Sequence, residues 1–174
     1  LFPSAFLNYE ISEGNNLTLS YSKRINRPRD RFINPFSSYS SNVNLFQGNP
    51  NLDPTLVDAY DLGYLKKWNK VTLNASLYHN RRKDAFQFVR YESGTFVNNI
   101  PVIINSPFNL GNSYNTGIEI TANYTPFKWW RLNGNVNFYN AETSGSFTYQ
   151  KLNPDTNTSV PTTIDFDNSA TTWT

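Results

Sequence analysis

The densest charge in the chain is the run KRINRPRDR, Lys23 to Arg31, which holds Arg24, Arg27, Arg29 and Arg31. Guanidinium groups suit oxyanions, because a planar fork of N–H donors matches phosphate or carboxylate and stays charged at any working pH. Anionic lipid and an anionic ligand are both candidate partners for these residues. A solvated loop with Asp30 as local counter-charge is the plain alternative. The cluster is short and no second basic stripe supports it, so nucleic acid is not an expected partner.

The other candidates carry less. DTNTS, Asp155 to Ser159, copies the opening of a calcium loop. Its sixth position is Val160 where such a loop needs glycine, and its twelfth is Phe166 where it needs a bidentate glutamate. A loose trio of Asp155, Asp165 and Asp167 remains, for which an ordinary polar loop is the better reading. His79 is the only histidine and cysteine is absent, so no metal-ligand spacing exists and any Ser-His-Asp triad would need that one ring. Its position, at the end of a run with an apolar face, reads as interfacial.

Glu119 falls on a polar alternating face with Asn123, Asn133, Asn135 and Asn137, and no second carboxylate stands at a set distance from it. Triplets such as Asn16-Leu17-Thr18 are what this much asparagine and threonine produces by chance. No phosphate-cradling glycine loop is present. The residue chemistry therefore predicts binding, with no catalysis, no cofactor and no resident metal.

The elements that must position these residues are strands. Charged residues are only 16% of the chain, below the roughly 25% of ordinary soluble domains. Asparagine, 26 of 174 residues, fills much of the gap and points to turns or to a water-facing strand surface. A net charge of +2 is too mild to imply a polyanionic partner. No apolar run is long enough for a transmembrane helix, a limit that leaves transmembrane strands of about nine to eleven residues open.

Strand-period alternation is clearest in LTLSYSKRI, where Leu17, Leu19 and Tyr21 share a face. VTLNASLYHN places Val71, Leu73, Ala75 and Leu77 on one face. GIEITANYT does the same with Ile118, Ile120, Ala122 and Tyr124, and LNGNVNFYN with Leu132, Val136 and Phe138. AFLNYEI, VDAYDLGYLKKW and AFQFVRY are further strands, and no helical stripe appears. Glu13 to Asn16, Trp68 to Lys70 and Pro126 to Trp129 are tight turns. Asn26 to Thr55, Glu92 to Asn115 and Glu142 to Asn168 are long connections.

Short and long connections alternate, so a meander gathers the tight turns at one end and the long loops at the other, as an outer-membrane barrel does. In such a barrel the apolar face meets lipid and the asparagine-rich face lines a wet lumen. Small residues on the apolar face, Ala75, Ala122 and Gly134, would leave voids in a sandwich core. Tyr64, Trp68, Phe127, Trp129 and Trp130 fall at the turn end, where an aromatic belt belongs.

The segments LTLSYSKRINRPR, INPF, GNPNLDP, VDAYDLGYLKKWNKVTLNASLYHNRRKD and GNSYNTGIEITANYTPFKWWRLNGNVNFYNAET, from about Leu17 to Glu142, resemble consecutive barrel hairpins of TonB-dependent outer-membrane receptors of the Bacteroidota type. The resemblance implies an all-β, antiparallel up-and-down transmembrane barrel of about twenty-two strands, with residues 1–174 supplying about seven to ten. The plug domain and remaining strands lie outside the chain, and an internal or C-terminal barrel segment is the expectation.

The implied function is import of a nutrient (glycan, peptide or metal chelate) across the bacterial outer membrane. The implied partners are lipid and lipopolysaccharide, the rest of the barrel and its plug, TonB through an N-terminal part, and a surface lipoprotein. Tyrosine and phenylalanine in NPFSSYSSNVNLF suit stacking on sugar rings or packing of the loop on itself. GNPNLDP, Gly48 to Pro54, reads as the re-entry point of the loop, anchored by Leu52. The rival reading is a soluble or surface-attached all-β adhesin or lectin-like module.

Overall fold

The alternating runs become one antiparallel wall. The computed structural model describes residues 1–36, 38–153 and 158–173. In chain order its elements are β1 (Ser4–Ser12), β2 (Asn15–Asn26), α1 (Asp30–Ile33), β3 (Ser38–Ser41), β4 (Asn44–Phe46), β5 (Thr55–Lys67), β6 (Val71–Val97), β7 (Ile100–Phe127), β8 (Trp130–Asn153) and β9 (Thr158–Trp173). Strands β1-β2-β5-β6-β7-β8-β9 pair antiparallel in that order. The small β3–β4 hairpin joins through β4, which runs parallel to β7.

Register aligns the two faces across the whole wall. Leu7, Leu19, Leu62, Leu77, Ile118, Phe138 and Trp173 are successive cross-strand partners. Every one is exposed, from 41% at Leu62 to 77% at Trp173. The next row toward the tight turns is Tyr9, Leu17, Tyr64, Ala75, Ile120 and Val136. A Cβ built on Gly134, further down the same face, would meet nothing within 4 Å, so no other part of the chain covers the band there. The row one residue away, on the other face, is Asn8, Thr18, Gly63, Ser76, Glu119 and Asn137. An exposed continuous apolar band backed by a polar face is the pattern of a barrel wall in lipid.

The buried apolar side chains lie elsewhere. Leu52 of GNPNLDP, Ala85 and Val89 of β6, and Val102 and Leu110 of β7 are the buried apolar side chains, all at the loop end. Two long connections expected from the sequence are strands. Glu92 to Asn115 belongs to a β6–β7 arm closed by the two-residue turn Asn98–Asn99, both with positive φ of 50° and 62°. That is the turn geometry matched to strand twist, and asparagine tolerates it. Glu142 to Asn168 is likewise paired within β8 and β9, from Phe138↔Trp173 up to Asn153↔Thr158.

Other boundaries also differ. VTLNASLYHN and AFQFVRY are one strand, interrupted only by two adjacent register shifts, between Arg82 and Ala85, where Asp84 takes φ 56°, and between Ala85 and Phe86. At about 3.3 Å per residue the 27 residues of β6 extend roughly 90 Å, far beyond one membrane crossing. The β2–β5 connection is a real loop, yet it contains one helical turn, α1, and the β3–β4 hairpin.

The wall forks at Gly111 and Gly145, the last paired residues of β7 and β8. A Cβ on Gly145 would collide with the backbone of Leu110, and one on Gly111 with the Ser144 carbonyl, so only glycine allows this approach. Past the fork β6–β7 and β8–β9 separate as hydrogen-bonded sheets but stay packed through rings. Phe108 and Phe147 lie 4.4 Å apart, with Tyr91 5.6 Å from Phe147 and 5.8 Å from Tyr149.

Candidate functional site

The loop end is organised by amides. Asn109 accepts a hydrogen bond from the Asp53 backbone N–H at 2.8 Å, and its Nδ2 donates to the Asp53 carbonyl at 3.0 Å and the Asp84 carbonyl at 2.7 Å. Asn49 donates from Nδ2 to the Pro107 carbonyl, while its backbone N–H donates to the Phe32 carbonyl. Thr55 Oγ1 also donates to Asp84, whose positive φ places its carbonyl at the bulge. GNPNLDP is thereby clasped to the β6–β7 arm, with Leu52 buried at 6% exposure as its apolar anchor. Gly48 passes so close to the Asn34 and Arg31 carbonyls that any Cβ would displace them.

Behind the clasp, Phe32 of α1, Phe46 of β4 and Phe86 and Phe88 of β6 form a cluster with centroid separations of 5.2 to 6.5 Å. Phe46 thus packs the loop on itself, whereas Phe36 is turned outward at 81% exposure. Between β4 and β7 lies a groove of about 380 Å³ whose lining includes Asn44, Phe46, Arg90 and Asn105.

The four arginines of the sequence cluster do not converge. Arg31 lies 4.6 Å over the Phe46 ring, a cation–π contact inside the loop. Arg29 is the N-cap residue of α1 with no side-chain cap bond, and Arg27 is exposed in the connection before it. Arg24 alone stands on the wall, on the polar face, opposite Val57. Val57 is in turn opposite Arg82, so two guanidinium-bearing residues flank one valine in a groove of about 330 Å³ that Asn26 and Asn80 also line. Sequence reasoning misses Arg82, as it misses Asn49 and Asn109. The one signal for Arg82 is parity, since it shares the even-numbered face of Asn74, Ser76, Tyr78 and Asn80.

The polar-face residues come together as alternation predicts. Glu119 pairs across to Asn137, Thr121 to Asn135 and Asn123 to Asn133. Asn135 Nδ2 donates to Glu119 Oε1 and Thr121 Oγ1, each at 2.9 Å, and the Tyr78 hydroxyl donates to Asn137 at 3.1 Å. This lattice leaves Glu119 an ordinary hydrogen-bonded carboxylate with no acid beside it in the same row.

On the apolar face, His79 stands between Tyr60 and Tyr114, at 6.3 and 6.2 Å, and meets Thr116 Oγ1 at 2.6 Å. Tyr21 lies 5.0 Å from Tyr60. The next row outward is Lys23, Asp58, Arg81, Tyr114 and Glu142. An aromatic row followed by a charged one marks the upper limit of the apolar band, as the Trp68 and stacked Phe127–Trp129–Trp130 set marks the lower. No group of three or more potential metal ligands occurs among the described residues. Asp165 and Asp167 are ladder residues of β9, opposite Ser146 and Ser144, and Asp155, the first residue of the calcium-like motif, lies outside the described residues.

Two solved structures share this architecture. The siderophore receptor PirA from Pseudomonas aeruginosa superimposes with a TM-score of 0.64 at 13% identity, covering 99% of this chain and 34% of the receptor. The siderophore receptor PirA from Acinetobacter baumannii gives 0.53 at 15% identity, covering 97% of this chain and 33% of the receptor. The chain therefore spans about a third of the length of either receptor. No curated protein matches it. The family described as the outer membrane protein beta-barrel family matches residues 1–174. With its whole length inside that match and an apolar band between two aromatic belts, the chain belongs to this family and is part of a barrel of the bacterial outer membrane.

Proposed function

We propose that the chain is a wall segment of a TonB-dependent transporter that imports a nutrient, a glycan, peptide or metal chelate, across the outer membrane. The observation that carries this reading is the two-faced wall with its folded loop end. Lipid needs the outward apolar rows, a wet passage needs the polar ones, and the clasped loop and arms supply surface where a ligand arrives. The likeness to two siderophore receptors supports the same architecture.

In this role Glu119, Asn123, Asn133, Asn135 and Asn137 line and hydrate the passage, and no residue performs catalysis. The rest of the barrel and a plug complete the transporter, TonB supplies energy through the plug side, and a surface lipoprotein over the loops is a further partner of the proposal. Lipopolysaccharide contacts fall to Lys23 and Arg81, which share the outward face. The test compares cells with and without the full-length protein on panels of sugars, peptides and ferric chelates. A growth advantage that disappears when TonB is removed is expected, and an advantage that survives its removal overturns energised import.

A further inference from the structure

Arg24 and Arg82 are separated by the width of one intervening strand, since both pair with Val57. At about 4.8 Å per strand spacing their Cα atoms stand roughly 10 Å apart, within the combined reach of two arginine side chains toward a common point. Val57 leaves the space between them open, and Asn26 and Asn80 border the same groove of about 330 Å³. Among the described residues neither guanidinium has a carboxylate partner, although Glu92 finds Lys151 at 3.5 Å elsewhere on the loop end. Ser22, Ala59, Asn80 and Asn115 make up the neighbouring polar-face row on the membrane side, so no acid stands there. The same-face acids Asp61 and Glu119 sit deeper, toward the tight turns. Asp84, in the bulge on the loop side, is not among the residues that border the groove.

Two uncompensated guanidinium groups on one face are mutually repulsive, and an oxyanion held between them relieves that repulsion through charge-assisted, forked hydrogen bonds. The aromatic row that bounds the membrane band is Tyr21, Tyr60 and His79. Arg24 and Arg82 each lie three residues beyond it along their own strands, about 10 Å toward the loop end, so the groove opens above the band rather than inside it.

We propose that Arg24 and Arg82 form an anion-binding subsite on the inner wall at the loop-end mouth, which takes a phosphate or carboxylate group of the incoming ligand. The subsite rests on the transporter reading for which face is the passage, and it assigns that passage an anionic ligand class.

The test uses the full-length protein in detergent micelles, with inorganic pyrophosphate and citrate as probes in calorimetric titrations at fixed ionic strength. For whichever probe binds, Arg24→Gln and Arg82→Gln are each expected to weaken binding at least tenfold. Lys83→Gln removes the same charge from the opposite face of the same strand, where Lys83 pairs with Leu56, and is expected to stay within twofold. Heat-modifiable gel migration verifies that each variant is folded. Equal weakening in all three variants would mean general surface charge and would overturn the subsite. So would unchanged binding in Arg24→Gln and Arg82→Gln, or no binding of either probe by the parent protein. Parent protein that binds neither probe while both inner-face variants melt earlier would identify the pair as an internal brace, which also overturns it. Uptake that proves independent of TonB would sink the transporter reading and leave the titration result standing.

Discussion

Asn109 holds the loop end with a single side chain, because its amide reaches a donor and two acceptors that strand pairing leaves free at the bulge. Alanine there strands the Asp53 N–H and carbonyl and leaves the Asp84 carbonyl with Thr55 Oγ1 alone, at about 1 to 3 kcal/mol for the clasp. Asn109→Asp keeps the acceptor but turns a negative oxygen toward two carbonyls, so it is expected to be at least as harmful. Hydrogen exchange of the Leu52 and Asp53 amides reads the effect: both should exchange faster while the amides of β5 and the membrane half of β6 keep their protection. A second residue-scale prediction concerns Tyr91, whose phenol is pushed above its ordinary value by burial among the rings of the arms. The sign follows from the neutral form being favoured in the folded arm. Above about pH 10 an unfolded arm ionises its tyrosine and the folded one resists, so arm packing loses stability as pH rises through that window. In a spectrophotometric titration Tyr91→Phe should remove a late-ionising component, and loss of an early one would contradict the burial of this ring.

Strands carry the membrane, and their register makes the apolar rows a test of it. Ala75 lies midway along the crossing part of β6, between the aromatic row at His79 and the tight turn before Val71, so Ala75→Lys places a charge near the middle of the hydrocarbon and should cost about 2 to 4 kcal/mol. Ser76→Lys, one residue away on the polar face, should cost far less; refolding yield into lipid vesicles measures both, and equal losses would contradict the assigned faces. The crossing strands are legible in the sequence because their period is set by two different solvents, and Leu17–Leu19–Tyr21 or Ile118–Ile120–Ala122 record it directly. The arms are not legible. Beyond the apolar band both faces of β6 and β7 meet water or other arms, so alternation fades at Glu92 to Asn115, and Pro101 and Pro107 imitate a loop. The clasp is half legible: Leu52 stands out as an anchor, whereas Asn109 is one asparagine among many until its partners are known. Arg82 escapes for a related reason, since pairing with Val57 is a property of register rather than of local charge density.

At the scale of the whole molecule the wall is an open sheet, with β1 at one edge and β9 at the other. Every residue of β1 is exposed, Phe6, Leu7, Tyr9 and Ile11 among them. In water an unpaired strand edge next to an uncovered apolar face is a template for pairing with another chain, and in lipid every backbone group must find a partner within the protein. Residues 1–174 therefore need neighbouring strands in a closed barrel, as membership of the family implies. Expressed by themselves in plain buffer, they should associate through β1 and β9 and through the apolar rows. Light scattering after size exclusion is the measurement, and a folded monomer without detergent would contradict both the open edges and the lipid-facing band. Replacing Phe6 and Tyr9 with lysine should reduce that association only in part, because the first lies on the polar face and the second on the apolar one, and the rows from Leu19 to Phe138 would remain uncovered.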